Sequence, residues 1–144
     1  MTPTSILTAR RWRLAADPGI RIVVANLGLA CCALEVDAAI QSGHFLPEDA
    51  AAAGEEPPAA LTILLVAGTV TDVLAPAVLR AHADLPGPVQ VVSFGACATS
   101  GGPYWDAPTV LKGIDQLLPV AMYVPGCPPR PEALVAALLA MGRP

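Results

Sequence analysis

The chain has few aromatic residues, few charges and few cysteines. Aromatics make up 4% of its 144 residues, so its core is built from Ala, Val, Leu and Ile. Lys and Arg together number eight and the net charge is −4, which argues against nucleic acid as the main partner. No run is long enough to span a bilayer. The most apolar stretch, Ala59 to Thr71, stops at Asp72. The start of the chain does not have the order of a signal peptide: Arg10, Arg11 and Arg13 follow the apolar Ile6 and Leu7, and no long apolar segment comes after them. A cytoplasmic setting is therefore expected, where thiols stay reduced. Four cysteines in a chain of this size do not make a disulfide scaffold.

What is abundant is aliphatic surface. The chain is 54% hydrophobic, with a mean hydropathy of +0.57. Monomers seldom expose large apolar patches, so part of this surface is expected to be covered by partner chains. The length suits one domain with its own core. Residues 1–18 read as an N-terminal arm carrying Trp12 among the arginines, either a frayed terminus or a docking segment. Residues 19–144 read as a single α/β domain.

The four cysteines follow strand-like runs. Cys31 and Cys32 come after Ile20 to Ala25, Cys97 after Val89 to Ser93, and Cys127 after Ala121 to Val124. A fourth run, Leu61 to Val66, is apolar without a break, as in a strand buried on both faces. Between the runs lie helical patterns. One extends from the tandem cysteines to about Ser42. A second is capped by Thr69 or Thr71 and buries Val73, Leu74, Ala77, Val78 and Ala81. A third opens at Asp106 and Pro108, with Leu111, Ile114 and Leu118 on one face. The last opens at Pro131 and buries Leu134, Ala137, Leu138 and Met141. The stretch from His44 to Ala60, rich in Ala, Pro and Glu, reads as a solvated loop. Strand, loop and helix repeated four times predict a parallel sheet with helices on both faces. Ligands of such sheets bind beyond the carboxyl ends of the strands, which is where all four thiols fall.

Converging thiols point first to an iron–sulfur cluster, commonly held by four cysteine thiolates. The flanking glycines let backbone N–H groups approach anionic sulfur. Structural zinc is the first alternative, but zinc sites usually draw on pairs spaced C-x₂₋₄-C, and the chain has none. The second alternative is a set of unrelated buried cysteines acting as small hydrophobes. The polar, glycine-rich loops count against it. The adjacent pair needs a departure from extended backbone, in which successive side chains point to opposite faces.

Four segments carry a resemblance. Leu29-Ala30-Cys31-Cys32-Ala33-Leu34-Glu35, Val66-Ala67-Gly68-Thr69, Gly95-Ala96-Cys97-Ala98-Thr99-Ser100-Gly101-Gly102 and the run from Tyr123 to Leu134 resemble the B subunit of respiratory complex I, the NADH–quinone oxidoreductase. That subunit is related to the small subunit of nickel–iron hydrogenases. The resemblance covers about residues 20 to 141, and the tandem cysteine is its most specific mark. It implies a flavodoxin-like fold and one 4Fe–4S cluster that passes electrons to quinone, with Cys31, Cys32, Cys97 and Cys127 as the matching ligands. It also implies a hydrogenase-like large subunit, a ferredoxin-like iron–sulfur subunit and a membrane-arm subunit as partners. The assembly would be a proton-translocating dehydrogenase, peripheral on the inner face of the cell membrane. The chain departs from the family where residues 44–60 are short, acidic and free of arginine, and where Asp72-Val73-Leu74 follows Val70-Thr71.

Glu35 has two readings: a favourable charge near a helix N-terminus, or a catalytic carboxyl that takes up a proton as the cluster is reduced. Arg130 could offset cluster charge or lie solvated at a helix end. His44 and His82 receive no role. No phosphate loop, nucleophile–base pair or flavin signature stands out, so the chain is not expected to bind NADH itself. Two other functions compete with the quinone-reducing one. One is the small subunit of a membrane-bound nickel–iron hydrogenase. The other is a structural zinc module.

Overall fold

The computed structural model describes residues 10–26, 31–48, 59–85 and 87–142. Six strands form one sheet: β1 (Arg10–Leu14), β2 (Asp17–Asn26), β3 (Phe45–Pro47), β4 (Leu61–Ala67), β5 (Val89–Phe94) and β6 (Met122–Val124). Four helices join them: α1 (Cys31–Gln41), α2 (Ala75–Ala83), α3 (Ala96–Ser100) and α4 (Pro131–Met141). The strand order is β3-β1-β2-β4-β5-β6.

The parallel part, β2-β4-β5-β6, matches the strands expected from the sequence. Period-two alternation divides its side chains between two cores. Ile20, Ile22 and Val24 of β2, with Ile63 and Leu65 of β4, face α1 and α4 and meet Val36, Leu134 and Leu138. Val23, Leu64, Val66 and Val91 face the other way and meet Val78 of α2 and Ala98 of α3. Helices therefore cover both faces, as expected for a flavodoxin-like α/β fold. The strand order switches between β2 and β4. From β2 the chain runs through α1 to β3 on one side, and then returns to β4 on the other.

The sheet is not wholly parallel, because β1 and β3 add an antiparallel side to it. Arg10 to Pro18, expected from the sequence to belong to an arm, carries β1 and the turn into β2. Trp12 packs against the core that holds α1. Residues 1–9 of that arm lie outside the described residues. Within the expected loop, Phe45–Pro47 is a strand, and Phe45 is buried because β1 supplies its ladder. Residues 49–58 of that loop also lie outside the described residues.

The helix expected to open at Asp106 and Pro108 does not form: the only helical turn in that stretch is a 3-10 turn at Ile114–Gln116, and another 3-10 turn, Gly102–Tyr104, precedes it. Here Leu111 N–H donates to the Val70 carbonyl at 2.9 Å, and Thr71 bridges Val110, so the backbone bonds sideways rather than along a helix. Ile114, Leu111 and Leu118 still reach one core. The second helix starts later than expected. Thr71 Oγ1 accepts from Leu74 N–H at 3.3 Å in a turn, Pro76 sits in the first turn of α2, and Val73 is exposed. No helix among the described residues is long and apolar enough to cross a membrane.

On the β1–β3 side two arginines share one carboxylate. Arg13 and Arg21 are cross-strand partners. Arg21 meets Glu48 through Nε and Nη2 at 3.0 Å each, and Arg13 Nε meets it at 3.0 Å. The Arg21 and Glu48 side chains are 4% and 2% exposed. Desolvation works to raise the Glu48 pKa, but the hydrogen bonds and charges of Arg21 and Arg13 outweigh it, and the carboxyl lies below its ordinary range.

Candidate metal centre at the carboxyl end of the sheet

Each cysteine stands just beyond a parallel strand. Cys31 and Cys32 are the first two residues of α1, after β2. The tandem pair thus leaves extended geometry by entering a helix. Cys97 is the second residue of α3, after β5. Cys127 follows β6 and precedes a cis peptide bond to Pro128. Cys32 and Cys97 are 1% and 2% exposed, whereas Cys127 is exposed. None of these three is in a disulfide. The side chain of Cys31 and residues 27–30, including Gly28, lie outside the described residues. Among the described residues, no three His, Cys, Asp or Glu side chains stand close enough together to hold a metal ion.

Gly95 is where the loops meet. Its N–H donates to the Val124 carbonyl at 2.8 Å, and Ala96 N–H donates to the Gly126 carbonyl at 2.8 Å, tying the loop after β5 to the loop after β6. A Cβ on Gly95 would collide with Cys32 Sγ and stand 3.4 Å from Pro129 Cδ. The backbone at Gly95 has φ 89° and ψ 169°, a region essentially confined to glycine. The glycine thus brings the start of α1 and the Cys127 loop against the Cys97 loop. Gly102 plays a similar part for Cys97, since a Cβ there would lie 3.1 Å from Cys97 Sγ. Thiols are the donors that iron–sulfur clusters use. With glycines keeping side-chain bulk away from two of them, the residues present fit such a group.

The other candidates lie around this centre. Glu35 is on α1, one turn beyond the tandem cysteines, and is partly buried. Arg130 caps α4 in an extended conformation and is exposed. Sequence reasoning missed two features. Ser93 Oγ and Thr99 Oγ1 form a 2.9 Å hydrogen bond between β5 and α3, the helix that carries Cys97. Tyr123, four residues before Cys127, donates to Asp115 Oδ2 at 3.3 Å. Local desolvation and the Asp115 charge raise the Tyr123 pKa. A serine beside the apolar Val91, Val92 and Phe94 of β5 is the signal available for the first. The second joins a residue of β6 to one of the 3-10 turn Ile114–Gln116, and spacing gives no sign of it.

The family model described as NADH ubiquinone oxidoreductase, 20 Kd subunit, matches residues 15–141. The NADH-quinone oxidoreductase B 1 subunit of Salinispora tropica is 50% identical over 116 residues, covering 81% of this chain and 62% of that protein. The corresponding B 2 subunit of Streptomyces griseus subsp. griseus is also 50% identical over 116 residues, covering 81% of this chain and 49% of its own length. The chain thus spans about half to three-fifths of the length of these curated relatives. Among solved structures, a chain of the membrane-bound sulfane sulfur reductase, an archaeal respiratory membrane complex, matches with a TM-score of 0.64 and 25% identity. That match covers 97% of this chain and 74% of the other.

Proposed function

The chain belongs to the NADH ubiquinone oxidoreductase 20 Kd subunit family, and from that premise we propose that it is an electron-relay subunit of a quinone-reducing respiratory complex. Cys31, Cys32, Cys97 and Cys127 would hold one 4Fe–4S cluster, which when bound supplies one-electron transfer. The observation that carries this reading is the meeting of the α1 start, the Cys97 loop and the Cys127 loop at Gly95.

The chain's own residues supply placement and shielding. Burial of Cys32 and Cys97 keeps water from two ligands, and this, with backbone N–H groups near sulfur, is how proteins set cluster potentials. Glu35, one turn along α1, is placed to take up a proton when negative charge is added nearby. Exposed Arg130 offers a charge to a partner carboxylate. The partners would be a ferredoxin-like subunit as donor, a hydrogenase-like large subunit at the quinone interface and a membrane-arm subunit. The whole assembly would sit on the cytoplasmic side of the membrane. One observation favours a second reading of the acceptor: the solved structure matched across this chain is named a sulfane sulfur reductase. In that reading the relay stays and the terminal acceptor changes.

The anaerobically prepared chain should be brown and hold about four iron atoms, the content of one cubane cluster. Cys97→Ser should lose most of the iron, and Glu35→Gln should keep it. Stoichiometric zinc without iron would overturn the cluster assignment in favour of a structural zinc module.

A further inference from the structure

We infer that the Ser93–Thr99 hydroxyl pair, buried at its Ser93 end, is a positioning element that fixes the rotation of α3 and so aims the Cys97 thiol. Its purpose rests on the cluster reading above, whereas its geometry does not depend on that reading.

Helix α3 has five residues, Ala96–Ser100. So short a helix does not persist on its own hydrogen bonds, and neither end has a side-chain cap: Gly95 precedes it and Gly101, left-handed at φ 90°, follows it. Its placement must come from contacts with the rest of the fold. Apolar burial supplies one, through Ala98, which is fully buried beside Val91 and Ile114. A single methyl group in an aliphatic core is a non-directional restraint. It holds the helix down without deciding how it is turned about its axis. The hydroxyl pair is directional.

Ser93 sits on the face of β5 that turns toward α3, in the same alternation as Val91, and is fully buried. An unpaired hydroxyl there would keep its full desolvation penalty. Instead it meets Thr99 Oγ1 at 2.9 Å. Thr99 lies two residues beyond Cys97, so a rotation that breaks this bond swings the thiol as well. Gly113 closes the other side. Its left-handed backbone at φ 116° leaves room for the Thr99 carbonyl, and a Cβ there would collide with that oxygen. Bonded at its hydroxyl and with its carbonyl close against Gly113, Thr99 anchors the segment that presents Cys97 to the site.

The test compares Thr99→Val, Ser93→Ala, the Ser93→Ala/Thr99→Val double variant and Thr99→Ser in the full chain. Site-resolved alkylation of Cys97 in the metal-free protein is read beside the unfolding midpoint. Iron content and the electron paramagnetic resonance of the reduced, loaded protein are read in parallel. Thr99→Val should speed Cys97 alkylation roughly two- to tenfold, the range that the loss of one hydrogen bond implies. It should also broaden or shift the resonance. Thr99→Ser, which keeps the hydroxyl, should behave like the parent. The double variant leaves no orphan hydroxyl. It should therefore recover stability relative to Thr99→Val, in which the buried Ser93 hydroxyl is orphaned, while keeping the fast alkylation. Parental alkylation in both Thr99→Val and the double variant would overturn the inference, as would alkylation rates that merely track the unfolding midpoint. If the parent takes up no iron, the cluster reading fails by itself, and the alkylation rates still decide whether the pair aims Cys97.

Discussion

On the β1–β3 side of the sheet, a buried carboxylate is closed between two guanidiniums through contacts of 3.0–3.2 Å. At the carboxyl end of the parallel strands, the start of α1 and the loops after β5 and β6 are closed by backbone hydrogen bonds and glycine contacts around thiols. The first region compensates its charge within the chain, with Glu48 answering Arg13 and Arg21. The second fixes its backbone tightly and leaves thiols as its chemistry. One region uses side-chain charge to hold structure. The other uses backbone to hold side chains for another purpose. A substitution should therefore cost stability in the first and ligand binding in the second.

Glu48→Ala tests that division most severely. It removes a buried carboxylate that bonds both Arg13 and Arg21 and should destabilise the fold by about 3–5 kcal/mol. Iron per folded chain should stay at the parental value. Denaturant unfolding together with metal analysis would check both parts, and a parallel loss of iron from the folded fraction would break the comparison. Gly95→Ala should do the reverse. Its backbone strain costs about 1–3 kcal/mol, and the added methyl meets Cys32 Sγ, so iron content should fall by more than stability does. The smallest effect is that of acid. The folded pKa of Glu48 lies below the ordinary 4.5. Its contribution is fully present above that value and is lost as pH falls through the lower folded pKa. Unfolding measured between neutral pH and about pH 3 should show this component in the parent and lack it in Glu48→Gln.

The parallel half of the fold was legible in the sequence because burial on both faces writes unbroken apolar runs such as Leu61 to Val66. The positions of the cysteines followed from those strands. The antiparallel half was not legible. Arg10–Leu14 reads as basic, yet its Arg13 is matched by Glu48 far along the chain, and Phe45–Pro47 is only three residues in a Pro- and Ala-rich stretch. The helix expected near Leu111 had the right apolar spacing. Gly113 and the sideways bonds to Val70 and Thr71 send the same residues into the core without a helix. Spacing predicted which side chains are buried there, and the backbone path depended on a neighbour that spacing does not reveal. Ser93 and Thr99 belong to the same class, since a polar pair shows only when both ends are placed.

The register of the parallel strands also bears on timing. Ile20 pairs with Leu61, and Val92 with Met122, so each ladder closes a long stretch of chain before it returns any energy. Sheets of this kind form slowly relative to their helices. Gly95 cannot touch Cys32 until β2 and β5 both flank β4, and it cannot bond Val124 until β6 has docked. The thiol-bearing loops are therefore among the last parts of the molecule to assemble. A nascent chain would pass through most of its folding with its cysteines apart, and maturation of the site would wait on completion of the sheet.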